Sequence, residues 1–88
     1  MVARTPTSLK SDDIEVGYWE VLEAEVSTND TVTLSNFKSS ADPDQHLVLK
    51  KSDRSTVTHT VANNVITITQ GALTNIDVII FAAGVKAA

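Results

Sequence analysis

Residues 55–69 read Ser-Thr-Val-Thr-His-Thr-Val-Ala-Asn-Asn-Val-Ile-Thr-Ile-Thr. Val57, His59 and Val61 alternate with Thr56, Thr58 and Thr60. Beyond Asn63 and Asn64, Ile66 and Ile68 alternate with Val65, Thr67 and Thr69. A period of two sends neighbouring side chains to opposite faces of a strand. The Asn-Asn pair supplies two residues that tolerate positive φ, as a two-residue hairpin turn requires. The stretch therefore predicts a hairpin with threonine facing threonine on one side and valine facing isoleucine on the other. That is a sheet with one wet face and one buried face.

The same alternation recurs on both sides of the hairpin. Upstream, Ile14, Val16, Tyr18, Leu22, Ala24 and Val26 share one face with Glu20 as the single charged intruder, and Trp19 and Val21 lie on the other. A strand over 14–26 is long, so a bulge near Gly17 or Glu20 is expected. Shorter strands are expected over 31–37 and 46–50. Downstream, Ile76, Val78, Ile80 and Ala82 oppose Asp77, Ile79, Phe81 and Ala83 in a last strand, 76–85, that is apolar on both faces. Gln70–Asn75 is a return segment with room for one helical turn at 72–74. About six strands with turn residues between them, with Val and Ile at 17 of 88 positions and Thr at 11, predict an all-β fold. The expected architecture is a small antiparallel β-sandwich or partly open β-barrel over residues 14–88. Residues 1–13, polar and interrupted by Pro6, are expected to form a flexible N-terminal arm.

Eighty-eight residues make one domain, and a chain of this size buries only about 60–65% of its unfolded surface. With no cysteine, neither disulfides nor thiolate metal sites can supplement the core, which leaves oligomerisation as the available device. The formal charge is −4, opposite to the basic field of a nucleic-acid or anionic-membrane binder. All of that charge comes from residues 1–25, where two cations meet six anions, whereas Lys38, Lys50, Lys51 and Arg54 cluster mid-chain. This distribution reads as a soluble surface of mixed sign; the alternative is an acidic segment meeting a basic one across a subunit boundary, where such charges give orientation more than affinity. No apolar run reaches the length of a membrane span, and the first residues lack the apolar core of a signal peptide.

Chemistry-bearing patterns are sparse. There is no Gly-x-Ser-x-Gly, Ser-x-x-Lys or phosphate-cradling glycine loop, and the three glycines are scattered. Most carboxylates fall in the acidic N-terminal segment or in loops, and Glu20 alone is directed inward by strand parity. Its expected resolution is a bulge that turns it outward or a cationic partner at an interface. Asp42, Asp44 and His46 alternate, but Pro43 interrupts them and the remainder of a calcium loop is missing. His59, between Val57 and Val61, reads as a satisfied core or interface histidine capable of responding to pH. No catalytic residue, metal ligand or cofactor is therefore assigned.

Four residues are candidates for a protein interface: Trp19 and Val21 on the outer face of the first long strand, and Ile79 and Phe81 on the second face of the last. The alternatives are a tryptophan in the core of a second sheet and a last strand that is central in a small sandwich. In size and layout the chain resembles the small accessory or decoration proteins of tailed-phage capsids: a Thr- and Ser-containing arm, then a compact cysteine-free β domain. The resemblance implies a non-enzymatic structural protein that forms a homo-oligomer within a larger capsid or surface assembly, located in the virion or the cytoplasm. Nucleic acid and membrane are not expected partners. The alternative is a carbohydrate-binding or adhesive β-sandwich.

Overall fold

The computed structural model describes residues 2–14 and 17–87. Glu15 and Val16, expected at the start of the first long strand, lie outside the described residues. The elements in chain order are β1 (Ala3–Arg4), β2 (Thr7–Ile14), β3 (Gly17–Val26), β4 (Thr31–Thr33), β5 (Gln45–Lys50), β6 (His59–Ala62), β7 (Val65–Ile68) and β8 (Ile76–Gly84). They form two four-stranded sheets packed together, with orders β1-β4-β7-β6 and β2-β3-β8-β5. Every pairing is antiparallel except the two-residue β1–β4 pair. The all-β expectation holds as a two-sheet sandwich, and the described residues form no closed barrel.

Inward-facing residues of both sheets build one core. Tyr18, Leu22, Ala24 and Val26 of β3, Val78, Ile80 and Ala82 of β8, and Val48 of β5 meet Val32, Ile66 and Ile68 of the opposing sheet. Leu34, Phe37, Val57 and Leu73 enter from the connections. The Tyr18 and Phe37 rings meet edge to face, with centroids 5.2 Å apart. Polar atoms hold these connections in place. The buried Asn64 side-chain amide donates to the carbonyls of Leu34 (3.2 Å) and Phe37 (3.4 Å).

The 55–69 hairpin forms in the expected register, with Thr60 opposite Thr67 and Val61 opposite Ile66. Of the two turn asparagines only Asn63 takes positive φ, at 56°, the pattern of a turn with one left-handed residue at its first central position. The run at 55–61 is split between the sheets. Val57 donates its amide to Val48 O and Lys50 donates to Ser55 O, so residues 55–57 shield the outer edge of β5. The chain then crosses at Thr58, whose amide is taken by the Gln70 side chain, and enters β6.

Three local expectations are corrected. The strand at 31–37 stops at Thr33, because Phe37 N bonds back to Leu34 O and both side chains turn into the core. The return segment forms no helical turn at 72–74: Ala72 has φ of 61°, and the Leu73 amide is capped by Thr28 Oγ1. The bulge is absent from β3, which pairs with β8 without interruption from Tyr18–Gly84 to Val26–Ile76, and lies instead at Leu9 in β2. The close approach at the end of β3 is accommodated by glycine. A Cβ at Gly17 would lie 2.5 Å from the Gly84 carbonyl oxygen.

Eight strands form among the described residues where six are expected from the pattern, because the 1–13 segment contains β1 and all of β2 but Ile14. Pairing with β3 runs from Thr7–Glu23 to Ile14–Gly17, so Ile14 closes β2. β1 is fixed by the buried Asp30 carboxylate. It accepts the Val2 amide (3.0 Å), the Ser27 amide (2.9 Å) and Arg4 Nε (2.6 Å).

Candidate functional site

The outer face of the β2-β3-β8-β5 sheet carries the candidate interface residues in cross-strand rows. One row runs Asp12, Trp19, Ala83, Gln45; the next Lys10, Val21, Phe81, Leu47; the third Thr7, Glu23, Ile79, Leu49. Directly opposite residues on antiparallel strands point to the same side, so Trp19, Val21, Ile79 and Phe81 share one surface. Sequence periodicity placed each of the four on a face but could not show that β3 and β8 are neighbours. It also missed Leu47, because β5 is too short to announce which of its faces is outward.

The four differ in accessibility. Phe81 and its partner Leu47 are each 41% exposed, Trp19 and Val21 are half-buried, and Ile79 is only 6% exposed. Ile79 is covered within the subunit. It lies between Glu23 and Leu49, and the ion pair of Lys51 Nζ with Glu23 Oε1 at 2.6 Å spans from the end of β5 to β3 across β8. The Glu23 hydrogen bond and charge hold the Lys51 ammonium above its ordinary value. Trp19, Val21, Gln45, Leu47 and Phe81 line a concavity of about 330 Å³ on this face.

On the inner face, Glu20 is 1% exposed. The expected outward bulge does not occur, and no cation pairs with it among the described residues. The Asn36 side-chain amide donates to Oε2 at 3.0 Å, and Oε1 has no partner among the described residues. Asn36 reaches it because the 34–37 turn, which sequence reasoning took for strand, directs its side chain towards β3.

The two histidines, 13 residues apart in sequence, meet between the sheets. His46 Nδ1 lies 2.8 Å from His59 Nε2, and His59 Nδ1 lies 2.9 Å from Val57 O. Asp42 is engaged elsewhere, accepting the Asn63 amide. Among the described residues no three His, Cys, Asp or Glu side chains converge, and no helix is long and apolar enough to cross a membrane. No protein-family model, curated protein or solved structure matches the chain.

Proposed function

We propose that the chain is a non-catalytic structural module that associates with copies of itself through the outer face of the β2-β3-β8-β5 sheet. The observation carrying this reading is the exposed apolar pair Phe81 and Leu47, flanked by Trp19 and Val21 on one continuous face. Large side chains left in water on a domain with a small core mark a surface for a partner. Ile79, only 6% exposed, offers little surface for direct contact.

Magnitudes set what the face can do. Burying Phe81 and Leu47 contributes roughly 1.5–3 kcal/mol each before the cost of association. Four strands about 4.8 Å apart and three outward rows about 7 Å apart give a contact of order 400 Å² per copy, near 800 Å² in total. This falls short of the ~1,000 Å² of a stable interface. Beyond those three rows, the exposed Ile14 in its pair with Gly17 and the exposed Leu9 at the β2 bulge extend the surface. Assembly into a virion or other surface lattice, the arrangement that the chain's layout resembles, would multiply such weak contacts.

Phe81→Asp tests the reading by sedimentation at about 100 µM, a concentration that populates contacts of modest affinity. The wild type is expected to sediment as an oligomer and the variant as a folded monomer. A monomeric wild type would refute self-association. The concavity beside Trp19 favours carbohydrate binding as the second reading. Trp19 is the only tryptophan, so its fluorescence in a glycan titration reports directly on that alternative.

A further inference from the structure

The His46–His59 pair is placed where neither strand alone would put it. His46 is on β5 and His59 opens β6, the edge strands on the same side of the two sheets. The Val57 carbonyl can only accept, so the contact at 2.9 Å fixes the hydrogen of His59 on Nδ1 and leaves a lone pair on Nε2. That lone pair is directed at His46 Nδ1, 2.8 Å away. Val57 is itself anchored, being fully buried with its amide bonded to Val48 O at 2.8 Å. A backbone carbonyl that orients one imidazole while its other nitrogen stays open is the support found around histidine metal ligands.

From this we infer that His46 Nδ1 and His59 Nε2 form a two-imidazole site for a borderline transition-metal cation of the Zn²⁺, Ni²⁺ and Cu²⁺ class, which clasps β5 to β6 across the sandwich. In the metal-free chain His46 Nδ1 donates its hydrogen to His59 Nε2. On binding, that hydrogen transfers through solvent to His46 Nε2, with no net release of a proton, and both lone pairs turn to the cation. Tetrahedral coordination with metal–nitrogen bonds of about 2.0–2.1 Å requires the nitrogens about 3.3 Å apart and the ring centroids about 5.2 Å apart. A right-angled pair, as in tetragonal copper or nickel sites, requires the nitrogens about 2.9 Å apart. The nitrogens stand at 2.8 Å and the centroids at 5.0 Å, with the rings at 83°. Rotation of the rings in place therefore suffices. Among the described residues no third protein ligand joins the pair, so water fills the remaining positions. Imidazole nitrogen, in the absence of a carboxylate cluster, selects against Mg²⁺ and Ca²⁺.

The test uses the full-length, tag-free chain with metal ions alone. Titration with Zn²⁺ is expected to shift the ring-proton NMR signals of both histidines together at one ion per chain. It is also expected to raise the thermal midpoint, because the ion binds only the folded arrangement, with EDTA reversing both changes. His46→Ala, at an exposed position, should weaken Zn²⁺ and Ni²⁺ binding at least about tenfold while leaving the dichroism spectrum unchanged. Mg²⁺ should produce neither effect. If Zn²⁺ at about 1 mM, a concentration that fills even weak sites, moves neither ring, or if the same affinity survives in His46→Ala, the site does not exist. Because Phe81→Asp leaves both imidazoles in place, its oligomeric state and its Zn²⁺ response fail or succeed separately.

Discussion

β2 and β8 flank the same strand, β3, through uninterrupted or nearly uninterrupted backbone ladders, yet they are opposite kinds of element. In β8, Val78 and Ile80 are completely buried and even the outward Ile79 is covered. In β2 every residue from Thr7 to Ile14 is exposed. The inward parity of β2 carries Ser8, Ser11 and Asp13, opposite Leu22, Glu20 and Tyr18, so it adds nothing apolar to the core. Backbone pairing alone thus extends a sheet without extending its hydrophobic layer. Such an edge is guarded by Lys10, Asp12, Asp13 and the bulge at Leu9, features that discourage further strand addition.

The sharpest way to break this comparison is a truncation on each side of β3. Ile80→Ala is expected to destabilise by about 2–5 kcal/mol, a large part of the stability of a domain this small. Leu9→Ala is expected to stay within about 0.5 kcal/mol. Urea unfolding measures both, and a comparable loss at Leu9 would show that β2 belongs energetically to the core.

A second experiment separates β2 from β1, the other strand of the N-terminal segment. Burial acting alone would raise the Asp30 carboxyl. The Ser27 amide, the Arg4 side chain and the Val2 amide outweigh it and hold the group below its ordinary value of 3.8. A depressed carboxylate stabilises the fold fully above the unfolded value and ceases to do so as pH falls through the lower native one. Asp30→Asn should therefore lower the thermal midpoint by roughly 5–10 °C at neutral pH. The gap from wild type should close below pH 3.8. A gap that persists in acid would mean that the charge is not what fixes β1.

A smaller effect than those at Ile80 and Asp30 is expected on β3 itself, in the row Ser11, Glu20, Ala82. Glu20 retains one oxygen without a partner among the described residues in the core. Replacing a buried, incompletely hydrogen-bonded carboxyl group with an apolar side chain of similar size is often stabilising. Glu20→Met should gain about 1 kcal/mol in urea unfolding. A loss would show that the Asn36 bond does more for the 34–37 turn than burying the carboxyl group costs.

The contrast between β2 and β8 also marks how far the sequence could be read. Ile76–Gly84 announces itself because apolar residues on both parities demand cover on both sides. Thr7–Ile14 has no apolar period, and its strand comes from the ladder that β3 offers, a partner that local pattern does not encode. At the outer face, alternation gave the orientation of Trp19, Val21 and Phe81. It did not reveal that Lys51 and Glu23 would cover Ile79 or that Leu47 would join Phe81.

The chain by itself determined the all-β class, the turn at Asn63–Asn64 and the register of the β6–β7 hairpin, the double-faced last strand and the inward direction of Glu20. All follow from alternation and turn chemistry, which act between residues close in sequence. Only the tertiary structure decided which strands are neighbours, that β2 completes a sheet without entering the core, and that His46 and His59 touch. Those outcomes depend on how two sheets stack and where the chain crosses between them at Thr58. The energies that fix them come from contacts between residues far apart in sequence, which alternation within a strand does not record.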